Sequence, residues 1–252
     1  MISRISLPRS FERTVMDPLQ ERLNDLNAGR ILDVATGTGG FLKTLAEWFG
    51  DFSDGVGVDP KEDRIETAAQ DADSRLQFKV MDAEQLVFKD DYFDTVAIRH
   101  SLHHLRNADR VLAEMMRVLK PGGLLIVGEV IQDPEMEKPN SQRHIHHWWG
   151  KVDRARGVPH FATFTKEKVV AMTRQLSLTD EQIIEYFEES TEDEEAEFLK
   201  YMIDVSEKEI QKLREAGNQP ELLAEGERLV DLYRREGYVD EKMVYVFGRK
   251  LS

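Results

Sequence analysis

The 252-residue chain contains no cysteine. Disulfides, thiolate metal sites, iron–sulfur clusters and cysteine nucleophiles are thereby excluded. Long hydrophobic runs are missing too. No stretch of about 18 apolar residues occurs, and Met1 to Ser10 carries no apolar signal core. The chain reads as soluble and cytoplasmic, without membrane insertion. Basic charge is scarce: 34 Lys plus Arg stand against 48 Asp plus Glu, a formal net charge of −14. Such a field repels a phosphate backbone, and no dense basic run offsets it, so DNA is not an expected partner. Glycine and proline, at 16 and 8, are too few for collagen-like or low-complexity classes. The length suits one large α/β domain, or one domain with an appended subdomain.

What is present is an alternation of two periodicities. Residues 9–27 place Phe11, Val15, Met16, Leu19, Leu23 and Leu26 at helical spacing. The short apolar run Ile31–Ala35 follows, is broken by Thr36-Gly37-Thr38-Gly39-Gly40, and gives way to a helical stretch with Phe41, Leu42, Leu45, Trp48 and Phe49 on one side. The cycle repeats. Val56–Val58, Leu76–Val80, Asp94–Ile98 and Leu124–Val127 read as strands, Ala108–Leu119 as a helix, and Pro121-Gly122-Gly123 as a turn. Asp59-Pro60-Lys61-Glu62 reads as a helix start, with Pro60 at the first helical position. This pattern implies an α/β fold, a doubly wound parallel sheet with helices on both faces.

Beyond Glu129 the regularity lapses. Residues 131–164 hold Pro134, Pro139, Pro159, four histidines and the pair Trp148-Trp149. Thr165 suits the cap of a helix running to about Gln175. Residues 182–188 suggest a strand, the chain is helical from 193 with a break at Gly217–Pro220, and Met243–Phe247 reads as a final buried strand. Nine of the seventeen residues from Glu181 to Glu197 are Asp or Glu, with no Lys or Arg among them. That run reads as a solvated helix start, with a docking surface for a basic partner as the alternative.

The glycine-rich turn between the first strand and helix carries the strongest chemical signal. Glycine lets a ligand approach the backbone, and the helix N-terminus beyond it presents unpaired N–H groups. A dinucleotide site wants G-x-G-x-x-G, but Leu42 stands where the third glycine belongs, and no Gly-Lys-Ser/Thr of a phosphate loop follows. Ile31-Leu32-Asp33-Val34-Ala35-Thr36-Gly37-Thr38-Gly39 instead resembles the first motif of the class I S-adenosylmethionine-dependent methyltransferases. Val56-Gly57-Val58-Asp59 resembles the second-strand motif and Met81-Asp82-Ala83-Glu84 the third. Asp91–Asp94 with Ser101-Leu102-His103-His104-Leu105 resembles the fourth-strand region, and Val118–Gly123 the turn before strand five. These landmarks cover about residues 30–130. The nearest likeness is to the broad group that includes the ubiquinone- and menaquinone-biosynthesis methyltransferases.

The resemblance implies a Rossmann-like, seven-stranded sheet whose last strand runs antiparallel. The whole chain, 1–252, then reads as a single methyltransferase domain: an N-terminal cap helix (1–29), a cofactor core (30–130), a lid (131–164), a helix and sixth strand (165–190), a helical insertion (191–240) and the final strand (241–252). The insertion stands where the family has a short hairpin, and it offers a surface for a homodimer. The resemblance also implies S-adenosylmethionine as cofactor, S-adenosylhomocysteine as product and a small-molecule methyl acceptor. Asp33, Ala35, Thr36, Gly37 and Gly39 would lie beside the methionine part of the cofactor, and Asp59 with Pro60 at its ribose. A carboxylate such as Asp59 can accept two hydrogen bonds from a cis-diol; the alternative is a helix cap in the box Asp59-x-x-Glu62. Met81, Asp82 and Ala83 would frame the adenine, and Arg99 with the His100 backbone would lie near the cofactor's amino group.

All seven histidines fall between 100 and 160. His103 reads as structural, packed under the following helix. His104, His144, Trp148 and Trp149 are candidates for substrate contact from the lid. His100 and His147 are candidate general bases, with His144 and Glu129 in reserve. His100 with His104, and His144 with His147, would share a helix face if those segments are helical, but no carboxylate stands at a standard spacing, so no metal is expected. Two other functions fit less well: a nicotinamide-dependent oxidoreductase, and a non-catalytic cofactor-binding module that engages a protein through its acidic helices.

Overall fold

The structure is a computed structural model that describes residues 18–70, 72–134, 138–187 and 192–252. The described residues divide into two compact units. One comprises 18–129, 166–186 and 243–252; the other comprises 130–165 and 187–242. The stretches expected as a lid (131–164) and a helical insertion (191–240) fall in the same unit.

The first unit is built on a sheet. Its strands are β1 (Arg30–Val34), β2 (Asp54–Asp59), β3 (Leu76–Val80), β4 (Phe93–Arg99), β5 (Leu119–Gln132, its last three residues in the second unit), β7 (Leu178–Tyr186) and β8 (Met243–Lys250). They lie in the order β3-β2-β1-β4-β5-β8-β7. β1 pairs in parallel with β2 and β4, β2 with β3, and β4 with β5, while β7 and β8 are antiparallel. In β1, β2, β4 and β8, apolar residues are buried almost without alternation, as expected of strands covered on both faces. The helices are α1 (Pro18–Leu23), α2 (Gly40–Trp48), α3 (Glu62–Ala69), α4 (Ala108–Val118) and α6 (Lys166–Arg174). In α4, Val111, Leu112, Met115 and Val118 form the buried stripe, and the Asn107 side chain accepts from Arg110 N–H to cap the first turn.

Three sequence expectations change here. Of the helix expected over 9–27, α1 is the described part, and 9–17 lie outside the described residues. The Pro121–Gly123 turn is absorbed into β5: pairing jumps from Phe93–Leu119 to Thr95–Leu124, a bulge in which Gly122 takes φ +74°. Helix α3 starts at Glu62 with Lys61 as its N-cap, so Pro60 precedes the helix and Asp59 is not its cap. The Asp59 carboxylate is instead taken up by two backbone N–H groups in separate turns, described below.

The second unit is helical. It contains α5 (Gln142–Ala155), α7 (Glu192–Ala216) and α8 (Pro220–Glu236), with the two-residue β6 (Phe164–Thr165) paired in parallel to Ile131 and Gln132. The sequence reading left 131–164 irregular, yet α5 occupies fourteen of its residues. Of the acidic run, 188–191 lie outside the described residues, and Glu192–Glu195 form the first turn of α7, where acids complement the helix dipole. Ile145, Trp148, Trp149 and Val152 of α5 pack with Met202, Val205, Ile210 and Leu213 of α7 and with Val230 and Tyr233 of α8. Trp148 is wholly buried and its indole N–H donates to Leu222 O at 2.8 Å. Trp149 donates to Ser206 Oγ at 3.0 Å. Among the described residues, no helix is long and apolar enough to cross a membrane.

Gly226 on α8 lies directly against the Trp148 ring, and a Cβ there would fall inside van der Waals contact with it. Overpacking a rigid ring in this core costs about 1–3 kcal/mol. Gly226→Ala is therefore expected to lower the urea midpoint by that much stability, despite alanine's higher helix propensity.

Candidate cofactor site

The carboxyl ends of β1, β2, β3 and β4 form one edge of the parallel sheet, the edge at which open α/β sheets bind ligands. Asp33, the penultimate residue of β1, is 1% exposed and its Oδ2 accepts from the Thr36 hydroxyl at 2.5 Å. Burial pushes its carboxyl up to about 7. The Thr36 hydroxyl, the Leu42 backbone N–H and the Arg99 charge oppose that rise, and the nearby Asp59 adds to it.

After β1 the backbone turns sharply. Ala35 takes φ +54°, Gly37 +57° and Gly39, the N-cap of α2, +80°. Thr36 N–H donates to Val58 O at 2.9 Å, which ties the turn to β2. Asp59 completes the tie: its Oδ2 accepts from Gly37 N–H at 3.1 Å and its Oδ1 from Lys61 N–H at 3.0 Å. The Arg64 guanidinium lies 3.9 Å from Oδ2. A Cβ at Gly37 would meet nothing within 4 Å, so the backbone there can be approached from outside. Gly39 is different. A Cβ there would lie 2.6 Å from the Phe78 ring, and one at Gly57 would lie 2.7 Å from the same ring. These two glycines provide the close helix–strand packing that the third glycine of a dinucleotide motif would give. Leu42, at that third position, is fully buried.

Along the rest of the edge, Met81 N–H donates to Asp59 O at 3.0 Å, and Asp82 Oδ1 accepts from Glu84 N–H at 2.9 Å in a tight turn around the buried Ala83. Pro60 lies between Asp59 and the cap of α3. The Arg99 guanidinium sits over the rings of Phe41 and Tyr245, 5.4 and 5.9 Å from their centroids. His100 takes φ +50° and its N–H donates to Gly128 O at 3.0 Å. Ser101 Oγ donates to Arg99 O at 2.8 Å and lies 3.4 Å from Ala35 O, joining the ends of β4 and β1. The sequence reading gave Ser101 no role; a hydroxyl residue two positions after a strand was the available signal.

The histidines occur in both units. Leu102–His104 is one 3-10 turn, so His100 and His104 do not share the helix face their spacing suggested. His103 is fully buried and its Nδ1 bonds Glu129 Oε1 at 2.9 Å, with Glu129 equally buried. The His103 and His104 rings lie 4.1 Å apart. In the helical unit, His144 Nε2–H donates to Lys138 O at 3.0 Å, whereas His147 Nε2 lies 3.2 Å from Thr163 Oγ1. That pair shares helix α5 but binds separate partners. Trp148 and Trp149, expected to cover a substrate, are instead core residues of the helical unit, with both indole N–H groups engaged inside it.

The family described as a methyltransferase domain matches residues 32–127, the stretch that holds this edge. Over that stretch the chain is similar to the methyltransferase-domain family, and its strand order accords with the likeness. Two curated relatives are similar to the chain. The sterol 4-C-methyltransferase strm-1 of Caenorhabditis elegans is 29% identical over 159 residues, covering 61% of this chain and 46% of that protein. The ubiquinone/menaquinone biosynthesis C-methyltransferase UbiE of Bordetella avium is 39% identical over 108 residues, covering 40% of each. The chain thus spans under half the length of either relative. Among solved structures, the YcgJ protein of Bacillus subtilis superposes with a TM-score of 0.60 at 20% identity, covering 93% of this chain and 97% of that one, and so shares its fold.

The raised Asp33 carboxyl has a consequence for stability. Between about pH 4 and 7 the folded chain keeps a proton on Asp33 that the unfolded chain releases, so this residue's contribution to stability falls as pH rises through that window and levels off above it. Asp33→Asn cannot ionise. Urea denaturation at several pH values from about 4.5 to 8 should show the wild-type chain losing stability relative to Asp33→Asn as pH rises.

Proposed function

We propose that the chain is an S-adenosylmethionine-dependent methyltransferase acting on a small-molecule acceptor. The observation that carries this is the Asp33–Gly37–Asp59 arrangement: two carboxylates at the ends of adjacent parallel strands, flanking a left-handed glycine turn with open space above it, inside the segment that matches the methyltransferase family. The residues fit the cofactor. Each Asp59 oxygen holds one backbone N–H and keeps a lone pair, so the two together can accept a cis-diol. In this reading Asp82 and Ala83 would meet an adenine edge, and Asp33 with Thr36 and the Gly37 backbone the amino-acid end.

Bound there, the cofactor supplies a methyl group already activated by its sulfonium. The chain's task is alignment of the acceptor and exclusion of water, and approximation of this kind contributes on the order of 7–11 kcal/mol at best. A general base is needed only for a hydroxyl or protonated-amine acceptor, and adds roughly 10²–10⁴-fold. On the sheet unit we assign that role to His100, which follows β4 directly. The names of the two curated relatives make sterols and quinone precursors the first acceptors to examine.

Calorimetric titration with S-adenosylhomocysteine tests the assignment. Stoichiometric binding is expected, and Asp59→Ala should weaken it at least about tenfold, the equivalent of about 1.4 kcal/mol. A folded protein that releases no heat with either S-adenosylhomocysteine or S-adenosylmethionine would remove the proposal.

A further inference from the structure

The helical unit contains a second constellation that methyl transfer does not use. His146 and His160 are 8% and 5% exposed, and their Nε2 atoms face each other at 3.1 Å. The other nitrogen of His160, Nδ1, bonds Asp153 Oδ2 at 2.9 Å, and Asp153 is itself 6% exposed. Because a carboxylate only accepts, His160 Nδ1 carries a proton, and between the two facing Nε2 atoms one hydrogen is shared.

The local fold is shaped for this. His146, Gly150 and Asp153 are spaced by four and three along α5, so they share one face of the helix. A Cβ at Gly150 would stand 3.3 Å from His160 O and 3.4 Å from His160 Cδ2, so the glycine makes room for the returning ring. The return loop is fastened at several points. Arg156 and Val158 N–H donate to Asp153 O at 2.9 and 3.0 Å, and the Arg154 guanidinium donates to His160 O. The second carboxylate oxygen, Asp153 Oδ1, is buried and accepts no hydrogen bond among the described residues.

We infer that His146 and His160 bind a divalent transition-metal ion of the zinc class, with Asp153 orienting His160 from behind. The ion takes the place of the proton shared between the two Nε2 atoms. With metal–nitrogen bonds of about 2.0–2.1 Å, a 3.1 Å separation subtends about 100° at the metal, between the octahedral and tetrahedral angles. Imidazole nitrogens suit zinc, nickel, copper and iron. A carboxylate hydrogen-bonded to the far nitrogen of a ligating histidine is the usual support of such a site. The sequence reading missed it because it sought pairs at one-turn spacing, whereas this pair joins a helix to the loop that follows it.

The test uses the full chain, stripped of metal with a chelator and titrated with Co(II) and then Zn(II). We expect one equivalent to bind, with Co(II) giving visible d–d bands and Zn(II) displacing it. His146→Ala and His160→Ala should each weaken binding by at least about 100-fold, and Asp153→Asn by about 10–100-fold. His144→Ala, whose ring is held by Lys138 O, should leave binding unchanged. X-ray absorption on the Zn(II)-loaded wild-type chain should show at least two imidazoles, a readout that needs no variant to fold. Absence of stoichiometric binding, survival of binding in the His146→Ala/His160→Ala double variant, or fewer than two imidazoles at the metal would overturn the site. None of these readouts depends on methyl transfer.

Discussion

The carboxylate of Asp59 is the fastening on which the ligand edge depends. It ends β2, yet one oxygen holds the N–H of Gly37 in the turn after β1 and the other holds Lys61 at the entrance to α3. Three consecutive features of the edge, the glycine turn, the strand end and the helix start, are thereby fixed by one side chain. Hydrogen bonds to a charged group contribute about 1.5–3 kcal/mol each when buried, more than neutral backbone bonds. The turn needs such help, because Ala35 within it takes a left-handed conformation that a Cβ disfavours. The residue we propose to hold a ribose therefore also shapes the turn beside it.

That double use explains what the sequence did and did not disclose. The strands were legible because β1, β2, β4 and β5 are covered on both faces and read as uninterrupted apolar runs. The acid at position 59 was legible too, but not its geometry: a capping box and a strand-end tie use the same residue types, and only the position of Gly37 in space separates them. Helix α5 was obscured for a different reason. Its apolar stripe, Ile145, Trp148, Trp149 and Val152, is interleaved with histidines and bounded by prolines, so a lid seemed the natural reading. Trp148 finds its room against Gly226 on α8 and Trp149 its acceptor in Ser206 on α7, complements that no local pattern reveals.

The two units solve the same packing problem in different ways. In the sheet unit, Gly39 and Gly57 admit the Phe78 ring between helix and strand; in the helical unit, Gly226 admits Trp148 between helices and Gly150 admits His160 beneath a loop. Each glycine is matched to what lies opposite it, and Gly39 needs its left-handed backbone as well. Polar groups follow the same economy. Trp148, Trp149 and Tyr233 all carry a buried donor, and each donor finds an acceptor within its own unit, so aromatic volume enters the core without stranding a polar atom.

The positive φ of Ala35 and His100 bears on anyone wishing to broaden what this crevice accepts. Both residues follow directly on a strand and sit where β-branched side chains are sterically penalised, whereas glycine and asparagine enter readily. Randomising either site would therefore enrich for backbone comfort before it selected for chemistry. Diversity is better invested at neighbours in ordinary conformations, with these two positions left as the fixed hinges of the design.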